Sequence, residues 1–381
     1  MAQTSREVVE NTLRGGYMER IPVVDFPWKD TLEGWVKEGY PTHTVLQKDP
    51  DNPKAGLVKV EEPIPAVDHF GFDLTGIKGN KLDMMPLRGY SEIVEENDQW
   101  YIKRNGAGAA LKYWKHKSGT PEHIDFRMTS REIWERDYRP HLLNLDPARF
   151  DAELTRENLD KRREQALWTH YGQLFVWENM RQSMGDVCMY ESLALDPGWI
   201  HDYNRVYTDF YKAHYERLFQ EAGLPDGIWM YEDLGYKNGL FCSPKMLEEL
   251  IFPYYANVID FFHSYGLAVI LHSCGNFTDA MPLIIEAGFD AINPMEAKAG
   301  CDVFQLAEDY GKKLAFIGGF DARIYESGDK ELIRKEITHF ISEMKRRNAR
   351  FIFASDHSIS TLVSYDSFRH GLDVYREQMM Y

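Results

Sequence analysis

The chain has no run approaching eighteen consecutive apolar residues, and its opening "MAQTSREVVENTLRGG" is a polar amphipathic pattern with no apolar signal region. Neither a membrane span nor a secretory leader is expected, and the expected location is cytoplasmic. Basic charge is also short, with 44 Lys+Arg against 60 Asp+Glu and a net charge of −16. That balance offers no footprint for nucleic acid or an anionic membrane, so small molecules or other proteins are the expected partners. Cysteine is scarce. Cys188, Cys242, Cys274 and Cys301 stand apart without CxxC spacing, which excludes a disulfide framework and leaves reduced thiols or metal ligation. No GxGxxG or GxxxxGK[ST] falls in a strand-to-helix turn and no GxSxG occurs, so the commonest nucleotide and serine-hydrolase readings drop out. There is no internal repeat and no low-complexity tract.

What is present is a long apolar-rich chain, 381 residues with 44% hydrophobic and 14% aromatic content, enough for one large core. Apolar β-type runs alternate with helical patterns from about residue 165: 172–179, 227–235, 267–276, 290–300, 313–321 and 349–358. Two further runs, 20–28 and 71–77, bring the count to eight. Between them, "SPKMLEELIFPYYANVIDFFHSYG" carries a stripe of Leu247, Leu250, Ile251, Tyr254, Val258 and Phe262. Ser243 is its expected N-cap, and Pro253 is expected to kink or divide it. A second stripe, Ile333, Ile337, Phe340, Ile341 and Met344, predicts a helix near 329–348. Eight strands with intervening helices predict an α/β fold, a (β/α)8 TIM barrel spanning 1–381 as one domain. Residues 80–165 break the alternation with short strands and then helices, and are expected as an insertion after the second strand, a lid over one barrel mouth.

In such a barrel, chemistry sits at the C-terminal ends of the strands. Asp25, Glu178, Glu232, Asp233, His272, Cys274, Glu296, Asp321, Asp356 and His357 all end apolar runs. In "ILHSCGN", His272 and Cys274 stand two apart on an extended segment, so both side chains face the same way. A buried histidine beside an inert cysteine is the bland reading; half of a metal site is the sharp one. His357, in "SDHS" near the end of the last run, is placed to approach the pair across the mouth. A His, Cys, His set leaves one tetrahedral position free, as catalytic zinc requires. Glu232, Asp233 and Asp356 are expected to orient ligands or substrate, with Glu232 and Asp356 as rival third ligands. A Cys274–His357 nucleophile and base remains an alternative. Phe26, Trp28, Trp177, Glu178, Tyr231 and Phe320 are the expected substrate pocket.

The order "SREVVENTLRGGYMERIPV", "SPKMLEELIFPYYANVIDFFHSYG", "VILHSCGN", "INPMEAKAGCD", "GGFD" and "SDHSI" resembles the uroporphyrinogen decarboxylase superfamily over nearly the whole chain. That resemblance implies a barrel and one of two chemistries, metal-free tetrapyrrole decarboxylation or zinc-dependent methyl transfer involving corrinoid proteins. Decarboxylases carry an R-Q-A-G-R type segment after the first strand; here "VVDFPWKDTLEGW" has no arginine to hold substrate carboxylates. The methyltransferase branch carries a His-x-Cys pair, matched by His272 and Cys274, and a later third ligand, usually cysteine, where this chain has His357. The resemblance is strongest to methyltransferases of aryl-ether O-demethylase systems, in which carboxylate and histidine replace thiolates. It implies Zn2+ as cofactor, a separate corrinoid protein as methyl acceptor, a small methylated substrate of veratrole or guaiacol type, and a homodimer. Methyl transfer from corrinoid to a thiol or to tetrahydrofolate is the second expectation, and a metal-free lyase the third.

Overall fold

The computed structural model describes residues 2–48, 57–116 and 119–381. Seven parallel strands form one curled sheet: β1 (Leu74–Gly76), β2 (Trp168–Leu174), β3 (Gly227–Tyr231), β4 (Ala268–Ser273), β5 (Ala291–Pro294), β6 (Ala315–Ile317) and β7 (Phe351–Ile352). They pair in chain order from β1 at one edge to β7 at the other. The expected eighth strand is the point of correction. Residues 20–28 meet the β7 side through isolated bridges, Val23 with Phe353 and Pro27 with Ile359, and through the Asp25 carboxylate, which accepts from Ser355. On the β1 side the contact runs through Asp73, whose backbone N–H donates to the Val23 carbonyl at 2.9 Å. The Asp73 carboxylate in turn accepts from Val23 N at 2.8 Å. Prolines at 22 and 27 remove two ladder donors from this segment, which explains why it forms bridges and no strand. The architecture is an open, incomplete barrel.

Period-two alternation decides what faces inward. Trp168, Trp229, Ala268, Ile270, Ala291, Ala315, Ile317 and Ile352 pack together inside the curl. Tyr171, Ile228, Met230, Val269, Leu271, Ile292 and Phe316 point outward to the helices. The inner cluster also contains Val8, Val9 and Leu13 from helix α1 (Ser5–Arg14), so an N-terminal helix stoppers the bottom of the curl. A capping box between Thr4 and Glu7 starts that helix and Gly15, at φ 75, ends it.

Several helices follow the sequence pattern closely. The helix at Lys330–Arg346 buries the five expected residues. The 244–264 pattern divides into Pro244–Leu250 and Phe252–Ser264, with Pro253 at the start of the second piece and Ser243 capping the first. The break turns the second helix, so Tyr255 is buried where Tyr254 was expected. The run placed at 172–179 is shifted: the strand ends at Leu174, and a helix begins at Val176.

Between β1 and β2 the chain builds an antiparallel four-stranded sheet from Ser91–Glu96, Trp100–Asn105, Ala110–Trp114 and Glu122–Asp125. Short helical turns and the helix Ala152–Glu164 follow. The Arg149 guanidinium donates to the carbonyls of Asp83, Met85, Pro86 and His141, which joins the two ends of this segment. A second antiparallel pair, Thr42–Lys48 with Leu57–Pro63, has no counterpart in the sequence reading.

Candidate functional site

At the end of β4, alternation sends His272 inward and Ser273 outward, and the chain continues past the strand to Cys274. Ser273 Oγ accepts from Leu234 N at 3.0 Å. Gly275 then turns at φ 75 against Gly235, where a Cβ would lie 2.4 Å from the Gly235 carbonyl carbon. This close approach is why "HSCGN" closes on glycine. Strand register sets His272 level with Tyr231 on β3 and Asn293 on β5.

Asn293 fixes the state of that histidine. Its Nδ2 donates to the Ile317 carbonyl at 2.8 Å, which turns Oδ1 toward the ring. His272 Nδ1–H donates to Oδ1 at 2.6 Å, leaving Nε2 as the free lone pair. Nε2 lies 3.4 Å from Cys274 Sγ and 3.9 Å from Asp233 Oδ1. Asp233 is held in turn by the Cys274 backbone N–H at 2.8 Å. Burial keeps the His272 imidazole below its ordinary pKa, against the pull of Asp233, so the ring is a neutral donor at neutral pH. Burial likewise pushes the Cys274 thiol up.

Across the mouth, Met295 takes a left-handed φ of 59 and brings Glu296 to face His357, with Oε1 3.7 Å from Nε2. Among the described residues two groups of three donors result, Asp233, His272 and Cys274, and Cys274, Glu296 and His357, each with all donor atoms within 4.8 Å. Cys274 belongs to both. The expected trio of His272, Cys274 and His357 is therefore spread over two groups joined at the cysteine. Two ligands of a tetrahedral zinc, one nitrogen and one sulfur, stand about 3.5 Å apart, a spacing that His272 and Cys274 match.

These donors open into a cavity of about 240 Å³ lined by Phe26, Trp229, Tyr231, His272, Cys274, Asn293, Pro294, Ser355, His357 and Ser358. Among the described residues, its lining contains no lysine or arginine and none from 80–165. Trp229 lies between Phe26, edge-on at 5.6 Å, and the tilted ring of His170 at 4.9 Å, ring centre to ring centre. Tyr231 stands over His272 at 5.2 Å. Gly172 leaves the space Tyr231 fills, since a Cβ there would sit 3.1 Å from its ring.

Several residues expected at the site are elsewhere. Glu232 is fully buried and accepts from Phe175 N at 2.5 Å, Trp177 N at 2.7 Å, Glu178 N at 3.4 Å and Tyr255 Oη at 2.6 Å. It caps the helix that starts at Val176. Burial pushes its carboxyl up to about 8 against those donors. Asp356 accepts from Ala297 N and Ala322 N, both at 2.9 Å, and braces the loops after β5 and β6. Neither carboxylate is among the two donor groups or the cavity lining. Asp233 alone of the three reaches the donor cluster. In the expected pocket, Phe26 and Tyr231 line the cavity, and Trp28 stands edge-on to His357 at 6.1 Å. Trp177 is core beside Tyr190, and Phe320 is core among Tyr325, Phe340 and Phe353. Glu178 pairs with Arg181 at 2.6 Å, its carboxyl pushed up to about 7 by burial. Asn293, Trp229 and Ser355 were missed. The first carried a signal, a polar side chain inside the apolar run "DAINP" at the strand end.

The uroporphyrinogen decarboxylase (URO-D) family matches residues 194–378, just under half of the chain and the part that holds His272, Cys274, Glu296 and His357. Among solved structures, a methyltransferase from Methanosarcina mazei aligns with a TM-score of 0.62 over 98% of both chains, at 14% identity. That likeness is one of fold. A Xaa-Pro dipeptidase with bound methionine aligns with a TM-score of 0.27, covering 44% of this chain and 43% of its own at 14% identity, and bears on nothing further. No curated protein matches the chain. No helix among the described residues is long and apolar enough to cross a membrane.

Proposed function

We propose that the chain is a zinc-dependent methyltransferase that takes the methyl group of a methoxylated aromatic ether, of veratrole or guaiacol type, and passes it to the Co(I) of a separate corrinoid protein. The observation that carries this reading is the mixed sulfur, imidazole and carboxylate cluster at one wall of a small aromatic cavity. Thiolate and imidazole together suit zinc better than magnesium or calcium. We assign the metal to Cys274 with His272 and His357, the carboxylates of Asp233 and Glu296 standing beside them. When bound, zinc would act as a Lewis acid on the ether oxygen.

The chain's own residues do the rest. Asn293 holds His272 in the tautomer that offers Nε2. Phe26, Trp229 and Tyr231 provide an apolar wall for a ring. At about 240 Å³ the cavity falls below the roughly 300–1,000 Å³ of sites for drug-sized ligands, which favours a single ring over a tetrapyrrole. A lining that has no lysine or arginine among the described residues also disfavours a polyanion, and with it the lyase alternative. The fold likeness to a protein described as a methyltransferase points the same way.

Elemental analysis of the purified protein, together with a screen of methoxyaromatics against a Co(I) corrinoid acceptor, tests the reading. The expected result is one zinc per chain, depleted in Cys274→Ala, and methyl transfer from at least one aryl methyl ether. A metal-free protein with full activity, or no transfer from any ether, overturns it.

A further inference from the structure

We propose that Asp25 and Ser355 deliver the proton to the oxygen that departs when methyl is transferred, an inference that rests on the methyl-transfer reading above. Ser355 is a wall residue of the cavity that also holds His272, Cys274 and His357, so it and the donor cluster border the same occupant, while its hydroxyl donates to Asp25. Behind it is Asp25, buried and absent from the cavity lining. Ser355 Oγ is 2.7 Å from Asp25 Oδ2, with Ser355 N at 3.3 Å and Phe26 N at 3.0 Å from the same carboxyl group. Of the two lining residues that bond to Asp25, Phe26 does so through its backbone N–H and Ser355 also through its side-chain hydroxyl.

The surroundings let this carboxyl hold a proton near neutrality. Burial pushes it up to about 7, and Asp356 adds in the same direction against the three hydrogen bonds. Tyr325 is the other titratable group that senses it, and burial keeps that phenol protonated. The pair thus joins a protonated reservoir to a hydroxyl that meets the substrate.

The step balances as follows. The methyl carbon–oxygen bond breaks and its electron pair stays on oxygen. The new bond to carbon takes both its electrons from the acceptor, the reduced cobalt of a corrinoid. The oxygen takes the Ser355 hydroxyl proton, Ser355 takes the Asp25 carboxyl proton, and Asp25 is left as carboxylate until water restores the proton. The product leaves as a neutral phenol, a better leaving group than aryloxide. Ser355 is the catalytic residue in this scheme and Asp25 a positioning residue acting through it.

Because the pair also ties residues 20–28 to the end of β7, the test needs a readout that loss of structure does not produce. Ser355→Ala, Asp25→Asn and the wild type are compared with free cob(I)alamin as acceptor and aryl methyl ethers whose phenols range from weakly to strongly acidic. Both variants are expected to lose about 10²-fold or more on ethers of weakly acidic phenols and less than about tenfold on nitro-substituted ones, with zinc content unchanged. Equal losses across the series overturn the relay. Absence of transfer by the wild type from every ether overturns the underlying reading instead, and the relay with it. Melting curves accompany each variant; if Asp25→Asn unfolds, the Ser355→Ala series decides alone.

Discussion

His272 Nδ1 and Asn293 Oδ1 lie 2.6 Å apart across adjacent parallel strands, and this one bond determines which nitrogen of the histidine is offered to the cavity. Asn293 is itself held by the Ile317 carbonyl, so three strands cooperate in aiming one lone pair. Asn293→Ala is expected to leave the fold intact and weaken metal binding about 10–100-fold, measured by competition with a chromogenic chelator. Unchanged affinity would remove the orienting role.

The two donor groups make different demands on the carboxylates. With zinc on Cys274 and both imidazoles, Asp233→Asn and Glu296→Gln are each expected to keep one metal per chain, while His272→Ala and His357→Ala lose it. If Glu296→Gln strips the metal and His272→Ala does not, the ion belongs to Cys274, Glu296 and His357.

Four carboxyls sit above their ordinary range, each chiefly through burial: Asp25 and Glu178 at about 7, Glu232 at about 8, and Asp356. A raised carboxyl binds its proton more tightly folded than unfolded, so its contribution is complete below about pH 4 and is lost as pH rises through the folded value. Chemical denaturation should show stability falling between about pH 4 and 8, by up to about 1.4 kcal/mol per pH unit for each group. Glu232→Gln should flatten the upper part of that fall.

Removing the Glu232 side chain has a separate cost. Glu232→Ala leaves three backbone N–H groups and the Tyr255 hydroxyl without their acceptor, at roughly 1–3 kcal/mol for each buried donor left unpaired. The expected loss is about 4 kcal/mol or more in urea unfolding, with metal stoichiometry unchanged in the protein that remains folded.

Helix α1 stoppers the inner cluster through Val8, Val9 and Leu13. Val9→Asp places an unpaired charge among Trp168, Ala268 and their neighbours and is expected to lower stability by more than about 3 kcal/mol, read as a fall in Tm.

Much of this protein is legible in its sequence because the relevant physics is local. The five-residue stripe of Lys330–Arg346 and the Ser243 cap follow from helical spacing, and the shared facing of His272 and Cys274 follows from strand alternation. Distance in space is not local, and there the reading failed. A carboxylate ending an apolar run looks the same whether it meets a cavity, as Asp233 does, or caps a neighbouring helix, as Glu232 does. Only the seating of β2 against β3 brought the Phe175 and Trp177 amides over Glu232. Trp177 and Phe320 end runs as Phe26 does, yet packing put them in the core. The eighth strand failed because two prolines leave residues 20–28 too few donors for a ladder, while their apolar residues still fill the place. Sequence alone determined the strand-and-helix alternation, the chemistry of the donors and the His-x-Cys pair. Tertiary structure decided which donors meet, since contacts between residues far apart in the chain depend on how the sheet curls.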